Sequence, residues 1–328
     1  MTGDGRAAKM KGGIVAEEPP MSQIKRILCP TDWSEASRVA LQAAVNMARY
    51  EGAELVLLHV LPPLGIVYGM ASVVSLGQAV RDEASEKLAR LIAQHVPPEV
   101  RAQALICIGE EADEIHLAAL QADVVVMSTH GRAGWAHWAF GSVAENVLRD
   151  STCPIFVVGP SGDSSTDKTA SDGRNCRFDF PFKQVLWPTD WSEESYRALD
   201  EAIAISLHHG AQLLMLHVIE PPELEMSWLH EEHMEKRLLK LCKRKAGAQS
   251  ARRLIGHGDA AAEITRVATA KSADLIVMST HGQTGWQRSS LGSVTQKVLR
   301  AVPCPVFLVP HPAAPFLAKS PTAILETQ

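Results

Sequence analysis

Two stretches of this chain combine glycine and serine at a spacing suited to holding an anion. The first runs Ser128-Thr129-His130-Gly131-Arg132-Ala133-Gly134, then six residues, then Gly141-Ser142-Val143. The second runs Ser279-Thr280-His281-Gly282-Gln283-Thr284-Gly285, then six residues, then Gly292-Ser293-Val294. Glycine lets backbone amides come close to a phosphate. Gly-Ser ahead of a periodic apolar segment opens a helix, whose first N–H groups and dipole attract anions. A competing explanation needs no ligand. Ser142-x-x-Glu145 and Ser293-x-x-Gln296 have the form of capping boxes, and Gly141 can serve a tight turn. Arg132 is a candidate phosphate contact, although its counterpart is Gln283.

A second polar motif, Pro30-Thr31-Asp32, returns as Pro188-Thr189-Asp190. Asp32 and Asp190 can accept hydrogen bonds from a ribose hydroxyl or an adenine amine. They can equally cap the helix that follows, together with Ser34 and Ser192. His59 and His217 read as satisfied core residues, while Val60 and Val218 beside them can pack against a base. His130 and His281 orient the glycine loop. Trp33, Trp191, Trp135 and Trp286 read as lids over the core, and Cys153 and Cys304, each before proline, as packing.

These motifs recur because the chain is duplicated. Pro30 to Glu35 matches Pro188 to Glu193, an offset of 188 − 30 = 158; Met127 to Gly131 matches Met278 to Gly282, an offset of 278 − 127 = 151. Matches in one order at this separation mean tandem domains, since solenoid repeats are about 20–50 residues long. The expected division is a first domain over 23–159, a linker over 160–181 and a second domain over 182–311, with a loose tail beyond.

The elements that must position the motifs alternate. In the first repeat the pattern predicts strands at 24–29, 55–61, 102–108, 124–128 and 155–158, the first stopping at Pro30. Helices are predicted at 34–50, 75–95, 112–120 and 142–149. In the second, strands are predicted at 184–187, 212–219, 250–255, 275–279 and 306–309, and helices at 192–209, 227–245, 260–270 and 293–301. Apolar residues at three- and four-residue steps mark the helix faces. Continuous apolar runs mark strands buried on both faces. Alternation of this kind implies βαβ units and a parallel sheet covered by helices. Ligands then bind beyond the carboxyl ends of the strands, where strand order reverses. Both polar motifs fall there if the chain returns beside its first strand after the third.

Composition narrows the function. The 328 residues carry a net charge of −5 with a pI near 6.2, which gives no electrostatic footprint for nucleic acid. The basic run from Lys236 to Lys245 reads as a solvated helix face. Six cysteines form no C-x-x-C pair, and metal-ligand spacing is absent. No apolar run is long enough to span a bilayer. A reduced, soluble, cytoplasmic protein is expected, with no membrane or nucleic-acid partner, no catalytic residue and no metal ligand.

With these residues in hand, the chain resembles the universal stress protein family, in its tandem form, from about residue 24 to 310. The family's ATP-binding signature is Gly, two residues, Gly, nine residues, Gly, then Ser or Thr. Gly131, Gly141 and Ser142 match it, as do Gly282, Gly292 and Ser293; Ser128 and Ser279 stand where the first glycine belongs. The resemblance implies a five-stranded parallel sheet of order 3-2-1-4-5 in each repeat. It implies adenine recognition near Pro30, Asp32, Val60 and Met127, and phosphate contacts at Gly131, Gly141, Ser142 and Val143. The matching positions are Pro188, Asp190, Val218, Met278, Gly282, Gly292, Ser293 and Val294. Thr31, Ser128, Arg132, Gly134, Thr189, Ser279 and Gly285 complete the expected site. Mg²⁺ held mainly by the phosphates fits this picture. Family members pair through their fifth strands, so 155–158 and 306–309 are expected to pair within this chain, and a further homodimer is open. Members act in stress survival by nucleotide-dependent regulation of protein partners. The leading expectation is an adenine-nucleotide-binding regulator. The alternatives are a nucleotide-free interaction module, which the two serine-for-glycine changes favour slightly, and a slow ATPase. The loop lacks a P-loop lysine and an evident carboxylate to position water.

Overall fold

The computed structural model describes residues 24–63, 70–129, 140–159, 179–221, 227–282, 291–311 and 325–326. Gly131, Arg132, Gly134 and Gly285 lie outside the described residues, as do Trp135, Trp286 and residues 160–178 of the expected linker.

The first repeat runs β1 (Arg26–Pro30), α1 (Glu35–Glu51), β2 (Glu54–Leu61), α2 (Met70–His95), β3 (Ala102–Ile108), α3 (Glu111–Ala119), β4 (Val124–Ser128), α4 (Ser142–Asp150) and β5 (Ile155–Val158). The second runs β6 (Gln184–Thr189), α5 (Glu193–His209), β7 (Gln212–Ile219), α6 (Ser227–Arg244), β8 (Arg252–His257), α7 (Ala260–Ala270), β9 (Leu275–Ser279), α8 (Ser293–Ala301) and β10 (Val306–Val309). Strands β1 and β6 continue through Pro30 and Pro188, which pair in parallel register with Leu58 and Leu216. Proline can end a strand in this way because only its N–H is missing.

All strands join one sheet of order β11-β3-β2-β1-β4-β5-β10-β9-β6-β7-β8. Within it each repeat has the order 3-2-1-4-5. Pairing is parallel except at two places. β5 meets β10 antiparallel, with Phe156 opposite Phe307, so the two repeats share a seam. The tail, expected to be loose, contributes β11 (Leu325–Glu326), antiparallel to β3.

Helices cover both faces. Leu41 and Val45 of α1, Leu88 of α2, Leu199 and Ile203 of α5 and Leu238 of α6 belong to one core. Ile115 of α3, Leu148 of α4, Val267 of α7 and Leu299 of α8 belong to the other. Both cores run across the seam: Phe156 and Phe307 join the first, Ile155 and Leu308 the second. The period-2 alternation of strand side chains makes this division. Helix ends follow local chemistry. Ser34 Oγ accepts from Ser37 N and Ser192 Oγ from Ser195 N, while Gly52 (φ 67°) and Gly210 (φ 66°) close α1 and α5 in the left-handed region. Glycine adopts that region without a Cβ penalty.

Candidate functional site

The order 3-2-1-4-5 reverses between β1 and β4, so the carboxyl ends of these strands diverge and leave a crevice. In the first repeat that crevice is a cavity of about 370 Å³. Pro30, Thr31, Asp32, Val60, Met127, Ser128, Gly141, Ser142 and Val143 line it. Every described first-repeat residue singled out from the sequence for the site therefore meets in one place. Glu111 and Ile115 from α3 also line the cavity, and nothing in the sequence spacing tied them to the loops.

The loop after β1 is rigidly braced. The Thr31 and Ser37 hydroxyls lie 3.2 Å apart, and Trp33 N donates to Thr31 Oγ1 at 3.2 Å. Trp33 sits at φ 69°, a left-handed conformation uncommon for a bulky residue. Its indole Nε1–H donates to His59 Nε2 at 3.2 Å, and His59 Nδ1–H donates to the Thr31 carbonyl at 2.8 Å. His59 is therefore the neutral Nδ1–H tautomer and staples β2 to the loop. Trp191 (φ 65°), His217 and Thr189 repeat the arrangement, with bonds of 3.2 and 2.8 Å. Both indoles pack on the core and carry a cation over the ring: Lys87 Nζ lies 4.3 Å from the Trp33 ring centroid and the Arg237 guanidinium 4.1 Å from that of Trp191. Arg237 is exposed, as expected of a solvated helix face, and lies over the Trp191 ring from there.

Asp32 Oδ1 accepts from Ser34 N at 3.0 Å, and Asp190 Oδ1 accepts from Ser192 N at 2.9 Å and Ser192 Oγ at 2.6 Å. The serines cap the helices and the aspartates hold the serines. Burial of the Asp32 carboxyl pushes its pKa up, but hydrogen bonds from Ser34 and Ser37 outweigh this and leave it below the usual carboxylate value.

The start of α4 corrects the capping-box reading. The N-cap is Gly141, at φ −61° and ψ 143°, with no side-chain cap hydrogen bond; Ser142 is the first helical residue. In α8 Gly292 occupies the same place, at φ −54° and ψ 137°. Glycine cannot cap with a side chain, so these helices lack the usual occupant of their first N–H groups. The negative φ shows that neither glycine serves a left-handed turn.

The second loop is tied down by its own side chains. Ser279 Oγ donates to the His281 carbonyl at 2.5 Å, Thr280 Oγ1 lies 2.9 Å from His281 Nδ1, and Thr295 Oγ1 donates to the Ser279 carbonyl at 3.1 Å. Gly282 lies against Asp190: a Cβ there would fall 2.5 Å from Asp190 Oδ2. Met278 is buried, and Val218 and Val294 pack against the same core.

Among the described residues the thiols are poor nucleophiles. Burial pushes Cys29, Cys153 and Cys304 up to about 12, and burial with the neighbouring Glu114 pushes Cys107 to about 11.

The universal stress protein family model matches residues 23–159 and 181–310, which is most of the chain. The chain belongs to the universal stress protein family. It is 37% identical over 135 residues to a universal stress protein of Thermus aquaticus, spanning 39% of this chain and 98% of the relative. A longer universal stress protein of Mycolicibacterium smegmatis is 26% identical over 305 residues, covering 86% of this chain and 96% of its own. The crystal structure of a universal stress protein from Archaeoglobus fulgidus DSM 4304 superposes with a TM-score of 0.62 at 23% identity, over 88% of this chain and 98% of that one. This shows that the tandem fold is shared. Among the described residues no helix is long and apolar enough to cross a membrane.

Proposed function

We propose that this universal stress protein is a regulator that binds an adenine nucleotide at the β1–β4 switch point. The observation that carries the reading is the 370 Å³ cavity and the identity of its lining. Its volume falls in the range of about 300–1,000 Å³ usual for small-ligand sites. Val60 and Met127 supply apolar surface for a base, and Thr31 and Asp32 supply polar groups for a ribose or an amine. Gly141 supplies a helix start whose cap position carries no side chain to occupy its amides, a fit for phosphate. A Mg²⁺ ion would be held chiefly by the phosphates. Two such units, 23–159 and 182–311, are joined by 160–181.

One observation favours the nucleotide-free reading for the second unit. There the Gly282 backbone and the Asp190 carboxylate are already in contact, so Asp190 serves as a loop anchor. No described residue at either site offers a lysine clamp, and regulation through partners suits this geometry better than fast turnover. Isothermal titration of the full chain with ATP and Mg²⁺ separates the cases. One or two sites per chain support the proposal, the number deciding whether the second loop opens. Absence of both heat and thermal shift at millimolar ATP overturns it in favour of an interaction module. A kcat of about 1 s⁻¹ or more would make the protein an ATPase instead.

A further inference from the structure

Helices α1 and α5 are equivalent elements, offset by 193 − 35 = 158 residues. Their last turns meet where the repeats join, but the residues there differ: Tyr50 and Glu51 in the first repeat, His208 and His209 in the second. His208 Nε2 lies 3.1 Å from Glu51 Oε2, and His209 Nε2 lies 3.9 Å from Glu51 Oε1. One donor atom from each residue lies within 4.8 Å of the other two. Donors about 2.0–2.1 Å from a tetrahedral Zn²⁺ stand roughly 3.3 Å apart. Side-chain adjustment of about an ångström would therefore close the cluster on an ion.

The surroundings support this. The Glu51 side chain is 3% exposed, and among the described residues its only ion-pair partners are these two imidazoles. A buried carboxylate without lysine or arginine is costly unless a cation meets it. The His209 ring is held in place by Tyr50, stacked at 4.8 Å and 12°, and by Phe182 at 4.6 Å. His208 is 43% exposed and gives the cluster an open side.

We propose that Glu51, His208 and His209 form a site for one divalent transition-metal ion of the zinc class, which clasps the two repeats together. Two imidazoles and a carboxylate are a recognised zinc ligand set, with a fourth position left to water. The Phe182 amide donates to His209 Nδ1 at 3.3 Å, so Nε2 carries the ring proton. Metal binding at Nε2 moves that proton to Nδ1 and ends the long Phe182 bond; no proton is released from this ring. The cluster lies 16 residues along α1 from its first residue, about 24 Å at 1.5 Å per residue, so it is separate from the switch-point cavity. Sequence spacing hid it, because the pseudo-symmetry of the seam and not a local motif brings the ligands together.

The test uses the full chain, stripped with chelator and free of nucleotide, titrated with Zn²⁺ and, in parallel, Co²⁺. The expected result is one Zn²⁺ per chain at micromolar or tighter affinity and a tetrahedral Co²⁺ absorption spectrum. Glu51→Gln and His208→Ala should each weaken binding by at least about tenfold and alter the Co²⁺ spectrum, while melting near the wild-type temperature in chelator. Should the buried Glu51→Gln protein fail to fold, His208→Ala, at a half-exposed position, carries the test alone. Wild-type chain without a stoichiometric site at micromolar Zn²⁺, or a folded variant that binds as tightly as wild type, overturns the proposal.

Discussion

Replacing Gly292 with alanine separates the two roles that a glycine at a helix start can have. If the position needed left-handed backbone, alanine would strain the turn. The observed φ of −54° is open to every residue, so no such strain arises. The added Cβ would meet the Thr280 carbonyl oxygen at 3.2 Å, Thr295 Oγ1 at 3.5 Å and the His281 Cα at 3.6 Å. Only the first is tight, and it asks for a shift of a few tenths of an ångström. Alanine is also a poorer N-cap than glycine, by about 0.5–1 kcal/mol. Against this, Gly→Ala lowers the entropy of the unfolded chain and stabilises by about 0.4–1 kcal/mol. The terms nearly cancel, leaving a net change within about 1 kcal/mol of zero. For a unit of this size that is a melting shift of no more than about 2–4 °C. Nucleotide binding should respond differently, because on the proposed function a methyl group added at the cap crowds the first helix amides that hold the phosphate. In the full chain, titration with ATP should lose the second-repeat site or weaken it at least tenfold, about 1.4 kcal/mol. Gly141→Ala should do the same to the first. Thermal melts and calorimetry on the same samples decide the matter. A fall of more than about 8 °C would mean the glycine is there for the fold. A stable Gly141→Ala protein that binds ATP as well as wild type would refute the phosphate site.

Other expectations follow from the described contacts. His59→Leu removes the donor that satisfies the Thr31 carbonyl and the acceptor for the Trp33 indole; it should cost about 1–3 kcal/mol, read by urea denaturation, and a neutral result would show that the staple does not hold the loop. The native-state pKa of Asp32 is lowered, so its ionisation contributes stability that is present above the unfolded value of about 3.9 and lost as pH falls through the folded one. The stability difference between wild type and Asp32→Asn should accordingly be flat above about pH 5 and shrink below pH 4. Growth of that difference in acid would contradict the assignment. Native Cys29, Cys107 and Cys153, buried and with raised pKa values, should react with iodoacetamide at pH 8 far more slowly than in urea, as mapped by peptide mass spectrometry.

Much of the fold is written in short segments of the sequence. Val124–Ser128 and Ile155–Val158 are continuous apolar runs and form buried strands over those residues. Ser34 and Gly52 bracket α1 with chemistry that acts within a few residues. The second repeat restates each element and so marks the site loops as well. What stayed hidden depends on partners distant in the chain. Strand β8 was expected over 250–255 and is Arg252–His257. It lies at the sheet edge, where Arg252 can remain exposed, so side-chain polarity misplaced it by two residues. The capping-box pattern at Ser142 failed because the cap is one residue earlier, and a serine at the first helical position looks the same in sequence. Glu111 and Ile115 reach the cavity only because the sheet order brings α3 over β2 and β1. Trp33 needs a positive φ that its type does not announce, and it holds that conformation through His59, 26 residues away.

The antiparallel seam between β5 and β10 has a consequence for how the protein survives dilution. In a pair of separate chains that share such a seam, the interface opens as concentration falls, because dissociation gains translational freedom. Here Phe156 and Phe307 belong to one polypeptide, and the chain between them keeps each lobe within reach of the other at a fixed effective concentration. The lobes therefore stay paired at any expression level. Because the seam reverses strand direction, their two switch points look toward opposite ends of the sheet. The tandem chain is thus a permanent two-ended object, whose halves keep a constant spacing.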